Sequence, residues 1–303
     1  MTDQSTTATS FVEQLEELDA YETPTEEIRD LLAQFPRTDD VRNALKKSSF
    51  LFDFLSFLEY EDPLDVEIVQ AFIELCPEAA GVSSTECGFE EEEKYYLLHA
   101  ACQNGNIEEA RIFELLIEAS PMRVFTHLST LGNLAGGCGV LENSHDLVGG
   151  CPLHYYVMWG SSSLPVVRRL VEACPRALTI ADETNKRGVT PLHAIMDPYD
   201  PGERVDVIEY LIEQNPSALR APNGYGWLPI HSLCSNANAT VDVVKLLVEA
   251  WPESIHEKDK DGKSPMSVAP IYHEYLLRSS FDFTKIEYLM EMNGGDRGEV
   301  FLR

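Results

Sequence analysis

Positive charge is scarce in this chain: its 303 residues hold 23 Lys and Arg against 51 Asp and Glu, a formal net charge of −28. A field of that sign repels phosphate backbones and anionic lipid, so neither nucleic acid nor a membrane surface is an expected partner. Long apolar runs are missing too. The most apolar stretch, residues 50–58, is nine residues long and interrupted by Asp53 and Ser56, whereas a membrane span needs about 20 apolar residues. Residues 1–20 lack the basic start and apolar stretch of a secretory signal, so the mature chain is expected to begin near Met1. The seven cysteines (Cys76, Cys87, Cys102, Cys138, Cys151, Cys174 and Cys234) are odd in number and none has C-x-x-C spacing. Reduced thiols in a soluble cytoplasmic or nuclear protein are the expectation. Also missing are a G-x-S-x-G elbow, a phosphate-cradling glycine loop and a Ser/His/Asp or Cys/His set in register. Nucleophilic and phosphoryl chemistry have no support, and no enzyme activity and no cofactor are expected.

What is abundant is acid, unevenly placed. Residues 1–93 carry 24 Asp and Glu with 5 Lys and Arg, net −19, leaving net −9 for the rest. Such a surface suits solubility, or a basic protein surface as partner.

A ten-residue pattern recurs: two apolar residues, two variable, two apolar, Glu, two variable, Pro. It appears as IVQAFIELCP (Ile68 to Pro77), IFELLIEASP (Ile112 to Pro121), VVRRLVEACP (Val166 to Pro175), VIEYLIEQNP (Val207 to Pro216) and VVKLLVEAWP (Val243 to Pro252). Looser copies run from Glu27 to Pro36 and from Lys285 to Gly294. Apolar residues at i, i+1, i+4 and i+5 form one stripe on an α-helix, and the closing proline cannot continue it. A single such helix cannot hide its stripe, so neighbouring units must stack. The stops are 36 to 54 residues apart, a range shared by several helical repeats, so spacing alone names none.

A second pattern precedes these helices: GVTPLHA (Gly188 to Ala194), GWLPIHS (Gly226 to Ser232), GGCPLHY (Gly149 to Tyr155) and a decayed GKSPMSV (Gly262 to Val268). Leu97 to Gly105 reads LLHAACQNG. Glycine permits the turn, and proline fits the first helical position, where its missing N–H costs nothing. These segments resemble the G-x-T-P-L-H signature and the H-x-A-A-x-x-G first helix of ankyrin repeats. The resemblance implies an all-α, ankyrin-like solenoid of stacked helix-turn-helix repeats, with the signature histidine tethering its turn to neighbouring backbone. It is firm from about Tyr95 to Ser267. The expected organisation is therefore an acidic helical region 1–93 without the signature, then repeats over 94–303 ending in a degenerate cap. Three features depart from the family: long loops within the helix pairs, proline in place of glycine after the second helix, and an insertion at about 122–149.

His99, His154, His193 and His231 recur at one repeat position, so stacking separates them layer by layer rather than gathering them round a metal. In the insertion, His127, Cys138, His145 and Cys151 are of zinc-ligand type, but their spacing matches no zinc motif. Residues 257–268 imitate a calcium loop, yet position 12 is Val268 where a bidentate Glu is needed, so calcium is rejected and no metal is expected.

The resemblance implies binding of a protein partner at the finger tips and the exposed side of the first helices. Counting from each signature places Lys186, Arg187, Val189, Tyr225, Trp227, Lys260, Asp261 and Lys263 at the tips, and Gln103, Asn104, Met158 and Trp159 at first-helix ends. Trp159 and Trp227 are either interface anchors or packed against the long loops beside them. Lys186, Arg187, Lys260 and Lys263 suit an acidic peptide, while the acidic N-terminal region suits a basic surface. The expected function is a non-enzymatic interaction or scaffold module; the alternative is a metal-dependent or thiol-active protein centred on 122–149.

Overall fold

The computed structural model describes residues 3–18, 23–56, 65–82, 96–104, 107, 109–120, 151–159, 163–181, 188–196, 204–236, 238–268, 288, 291 and 292. These fall into two compact units, Met1–Pro175 and Arg176–Arg303. Each is an all-α, ankyrin-like stack of helix-turn-helix repeats, and no strand element occurs among the described residues. None of the described helices is long and apolar enough to cross a membrane.

Unit 1 contains α1 (Asp3–Glu17), α2 (Thr25–Gln34), α3 (Asp39–Leu45), α4 (Phe50–Ser56), α5 (Val66–Leu75), α6 (Leu97–Gln103), α7 (Ala110–Ala119), α8 (Pro152–Trp159) and α9 (Leu164–Ala173). Second helices pack in the row α2, α5, α7, α9, and first helices in the row α4, α6, α8. Of the N-terminal helices, α2, α4 and α5 take part in these rows, and α1 packs on α3. Unit 2 contains α10 (Pro191–Ala194), α11 (Val205–Gln214), α12 (Pro229–Ser235), α13 (Val241–Ala250) and α14 (Pro265–Val268). Here α12 lies between α10 and α14, and α11 packs on α13.

The apolar stripe is what the rows bury. Ile68, Val69, Phe72 and Ile73 of α5 are all in the core, as are Val166, Val167, Leu170 and Val171 of α9 and Val243, Val244, Leu247 and Val248 of α13. Each such side chain contributes about 1.5–3 kcal/mol on leaving water. The pattern's glutamate faces solvent at Glu74, Glu118, Glu172, Glu213 and Glu249.

Each second helix ends two residues before its proline, because the residue preceding a proline is driven out of the helical region. Cys76, Ser120, Cys174, Asn215 and Trp251 share one cap conformation, φ between −142 and −153° and ψ between 71 and 88°. The proline then opens a short 3-10 turn at Pro77–Gly81, Pro175–Thr179, Pro216–Arg220 and Pro252–His256. Each turn buries a pair of side chains: Ala79 and Ala80, Ala177 and Leu178, Ala218 and Leu219, Ser254 and Ile255. The proline that stops the helix therefore also starts a buried plug, apolar in three of these four turns.

Candidate functional site

The finger turns of unit 2 are built from short polar side chains. Asn223 Oδ1 accepts the backbone N–H groups of Tyr225 at 2.9 Å and Trp227 at 3.0 Å, while Asn223 N–H donates to the Trp227 carbonyl at 2.8 Å. One repeat later Asp259 Oδ1 accepts from Asp261 at 2.9 Å and Lys263 at 2.8 Å, and Asp259 N–H donates to the Lys263 carbonyl at 2.9 Å. The third residue on is a left-handed glycine, Gly226 (φ 80°) or Gly262 (φ 78°). At Gly226 even the smallest side chain is excluded: a Cβ would lie 2.8 Å from the Lys260 backbone nitrogen.

Each turn is fastened by the signature histidine of the repeat before it. His193 Nε2 donates to the Trp227 carbonyl at 2.9 Å and its Nδ1 lies 2.8 Å from Thr190 Oγ1. His231 Nδ1 accepts from the Leu228 N–H at 3.2 Å and Nε2 donates to the Lys263 carbonyl at 3.3 Å. Burial pushes the His231 pKa down, only partly opposed by its bond to the Lys263 carbonyl. A neutral ring, one nitrogen accepting and the other donating, is what both contacts need. The tether implied by the ankyrin resemblance is therefore present at both positions, and the two rings serve different turns.

The two turns also touch. Trp227 Nε1 donates to Asp259 Oδ2 at 3.0 Å, and Lys260 Nζ donates to the Gly224 carbonyl at 2.5 Å. Burial alone would raise the Asp259 pKa; the N–H donors of Lys263, Asp261 and Trp227 bring it below the ordinary value. Asp259 holds a ligand position of the calcium-like segment, yet both its oxygens are spent on N–H groups.

Of the residues expected at the binding edge, Tyr225 is 57% exposed, and Lys260, Asp261 and Lys263 are exposed as well. Val189 and Trp227 are half-buried, and Trp227 is tied into the turn pair by its indole. Two expectations are corrected. Asn104 is fully buried, and its Nδ2 donates to the Leu55 carbonyl at 3.0 Å; Met158 is 4% exposed and belongs to the core of α8. Neither side chain is offered to a partner. Lys186 and Arg187, the side chains of Gln103 and Trp159, and the whole of 122–149 with His127, Cys138 and His145 lie outside the described residues.

Cys151 is described, and it is buried with Sγ 3.0 Å from His154 Nδ1. It stands where Thr190 stands before His193, a thiol replacing the hydroxyl of the signature. Burial pushes its pKa up to about 12, so this Cys–His pair holds a protonated thiol and is no activated nucleophile. Among the described residues no group of three or more His, Cys, Asp or Glu is arranged to hold a metal.

Sequence reasoning missed Asn223 and Asp259, although a signal existed: Asn185, Asn223 and Asp259 each stand three residues before a turn glycine. It also misassigned the asparagine that follows the first helix. Asn236 repeats the behaviour of Asn104, its Nδ2 donating to the Met196 carbonyl of the preceding repeat at 3.0 Å.

No family model matches the chain, and no curated protein does. Among solved structures, the human ASB11 ankyrin repeat domain is similar to it with a TM-score of 0.49 and 15% identity, over 96% of this chain and 98% of that one.

Proposed function

We propose that this chain is a non-enzymatic protein-interaction module that engages another protein through the finger edge of unit 2. The observation that carries this reading is Tyr225, a large aromatic side chain left 57% exposed at the tip of a turn that five hydrogen bonds and a left-handed glycine hold in place. Folding alone gives no reason to place an aromatic side chain in solvent, whereas an exposed tyrosine on a preorganised backbone is what interface anchors are made of. The ankyrin resemblance supports the same edge. The described cysteines are all buried free thiols, which fits a reducing compartment, cytoplasmic or nuclear.

Affinity capture with the intact chain, followed by titration of the captured protein, tests this. Tyr225→Ala is expected to weaken binding by about 2 kcal/mol, roughly thirtyfold, with an unchanged melting temperature. Unchanged affinity would remove the edge from consideration. Trp227→Ala is a poorer probe, because it also breaks the bond to Asp259 and lowers stability.

A further inference from the structure

We propose that turns 223–227 and 259–263 form one composite docking surface for an extended acidic segment of another protein. This rests on the interaction reading above and adds the chemistry of the partner. Two observations carry it.

The first is the interlock. Trp227 is bonded to Asp259, Lys260 reaches back to Gly224, and the Lys260 backbone fills the space beside Gly226. Two tips fastened in this way present Tyr225 and the lysines as one preorganised surface, which loses little conformational entropy when covered.

The second is polarity. Outward-facing cations at the tips are Lys258, Lys260 and Lys263, against Glu257 and Asp261; Asp259 faces inward with its oxygens occupied. On the second helices of the same unit the exposed charges are acidic: Asp206, Glu209, Glu213, Asp242 and Glu249. A carboxylate-rich segment is drawn to the tips and repelled from the helices. The net charge of −28 does not cancel this locally, since charges are screened beyond about 8 Å at physiological ionic strength. The Lys260 ammonium is engaged by the Gly224 carbonyl and Lys263 lies 4.0 Å from Asp261 in an exposed pair that an incoming carboxylate can displace, so Lys258 and Lys263 supply the pairing and Tyr225 the apolar contact.

Fluorescence anisotropy of a short labelled peptide alternating Glu and Leu, and of its Lys and Leu counterpart, tests the proposal on the full chain. The acidic peptide is expected to bind and the basic one not. The double substitution Lys258→Glu, Lys263→Glu should cost roughly tenfold in affinity with an unchanged melting temperature, and binding should weaken between about 50 and about 300 mM salt. Asp259→Asn separates interlock from charge. It keeps Oδ1 for the turn but turns an amide toward the indole N–H, so the interlock requires weaker binding, whereas simple removal of a negative charge would tighten it. Tighter binding, an unaffected charge-reversed variant, lysine-dependent binding to phosphatidylserine vesicles, or self-association of the free chain abolished by the double substitution would each overturn the proposal. If capture of the natural partner is lost in Tyr225→Ala but kept in the charge-reversed chain, the acidic partner is wrong and the interaction reading stands. If both variants capture it fully, both fall.

Discussion

The turns at 223–227 and 259–263 have the same backbone, yet one is organised by an asparagine and the other by an aspartate. In both, a single side-chain oxygen collects two backbone N–H groups, so the turn itself requires only one acceptor. The second atom is where they differ: Asp259 Oδ2 takes the Trp227 indole of the neighbouring finger. One oxygen shapes the turn and the other joins it to the next, which separates local folding from coupling between repeats. Their glycines differ in the same sense, since Gly226 abuts Lys260 while nothing lies within 4 Å of a Cβ at Gly262.

The largest expected effect breaks the platform from beneath. Ile230, 2% exposed, anchors the helix leaving the first turn, and Ile230→Ala should cost about 2–5 kcal/mol in a thermal or urea melt. A loss below 1 kcal/mol would mean the turn is not seated on this core. Next, Gly226→Ala and Gly262→Ala sharpen the contrast directly. Both force a side chain into left-handed backbone, about 1–2 kcal/mol, but only the first also drives a methyl into Lys260. Gly226→Ala should therefore be the more destabilising by about 1 kcal/mol or more, and equal melting temperatures would contradict the observed packing.

Acid should act through His231. Its pKa lies below the ordinary histidine value of about 6.5, so as pH falls through that range the unfolded chain takes up the proton first. The contribution of the neutral ring is complete above that range and is lost on acidification. Melting temperatures measured between pH 8 and about pH 5 should fall, and His231→Ala, itself costing about 1–3 kcal/mol at neutral pH, should flatten that slope. The smallest effect belongs to the exposed Lys263–Asp261 pair, 4.0 Å apart. Its removal by Asp261→Ala should change stability by less than about 1 kcal/mol.

The helix rows were legible because a stripe at i, i+1, i+4 and i+5 reports which face must leave water, and Ile68, Val69, Phe72 and Ile73 do so without further information. The turn glycines and prolines were legible for a similar reason, each being tied to a backbone conformation. Side chains at helix ends were not. Asn104 reads equally well as a solvent-facing contact or as a buried tether, and its acceptor, Leu55, is 49 residues away. Trp227 posed the same difficulty, since only the fold brings Asp259 within reach of its indole. The 3-10 plug was hidden because the proline accounted for the end of the helix so completely that nothing called for structure beyond it.

The histidine tethers give the stack of unit 2 a direction. His193 and His231 each donate forward, to a carbonyl of the following repeat. Removing repeats from the N-terminal side would uncover a carbonyl that still has a backbone partner and that water can reach. Removing them from the C-terminal side would take away the carbonyl to which the last histidine is tethered and open its ring to water. Shortening therefore leaves different groups at the two ends: a carbonyl still bonded within its own turn at one, a histidine that has lost its tether at the other.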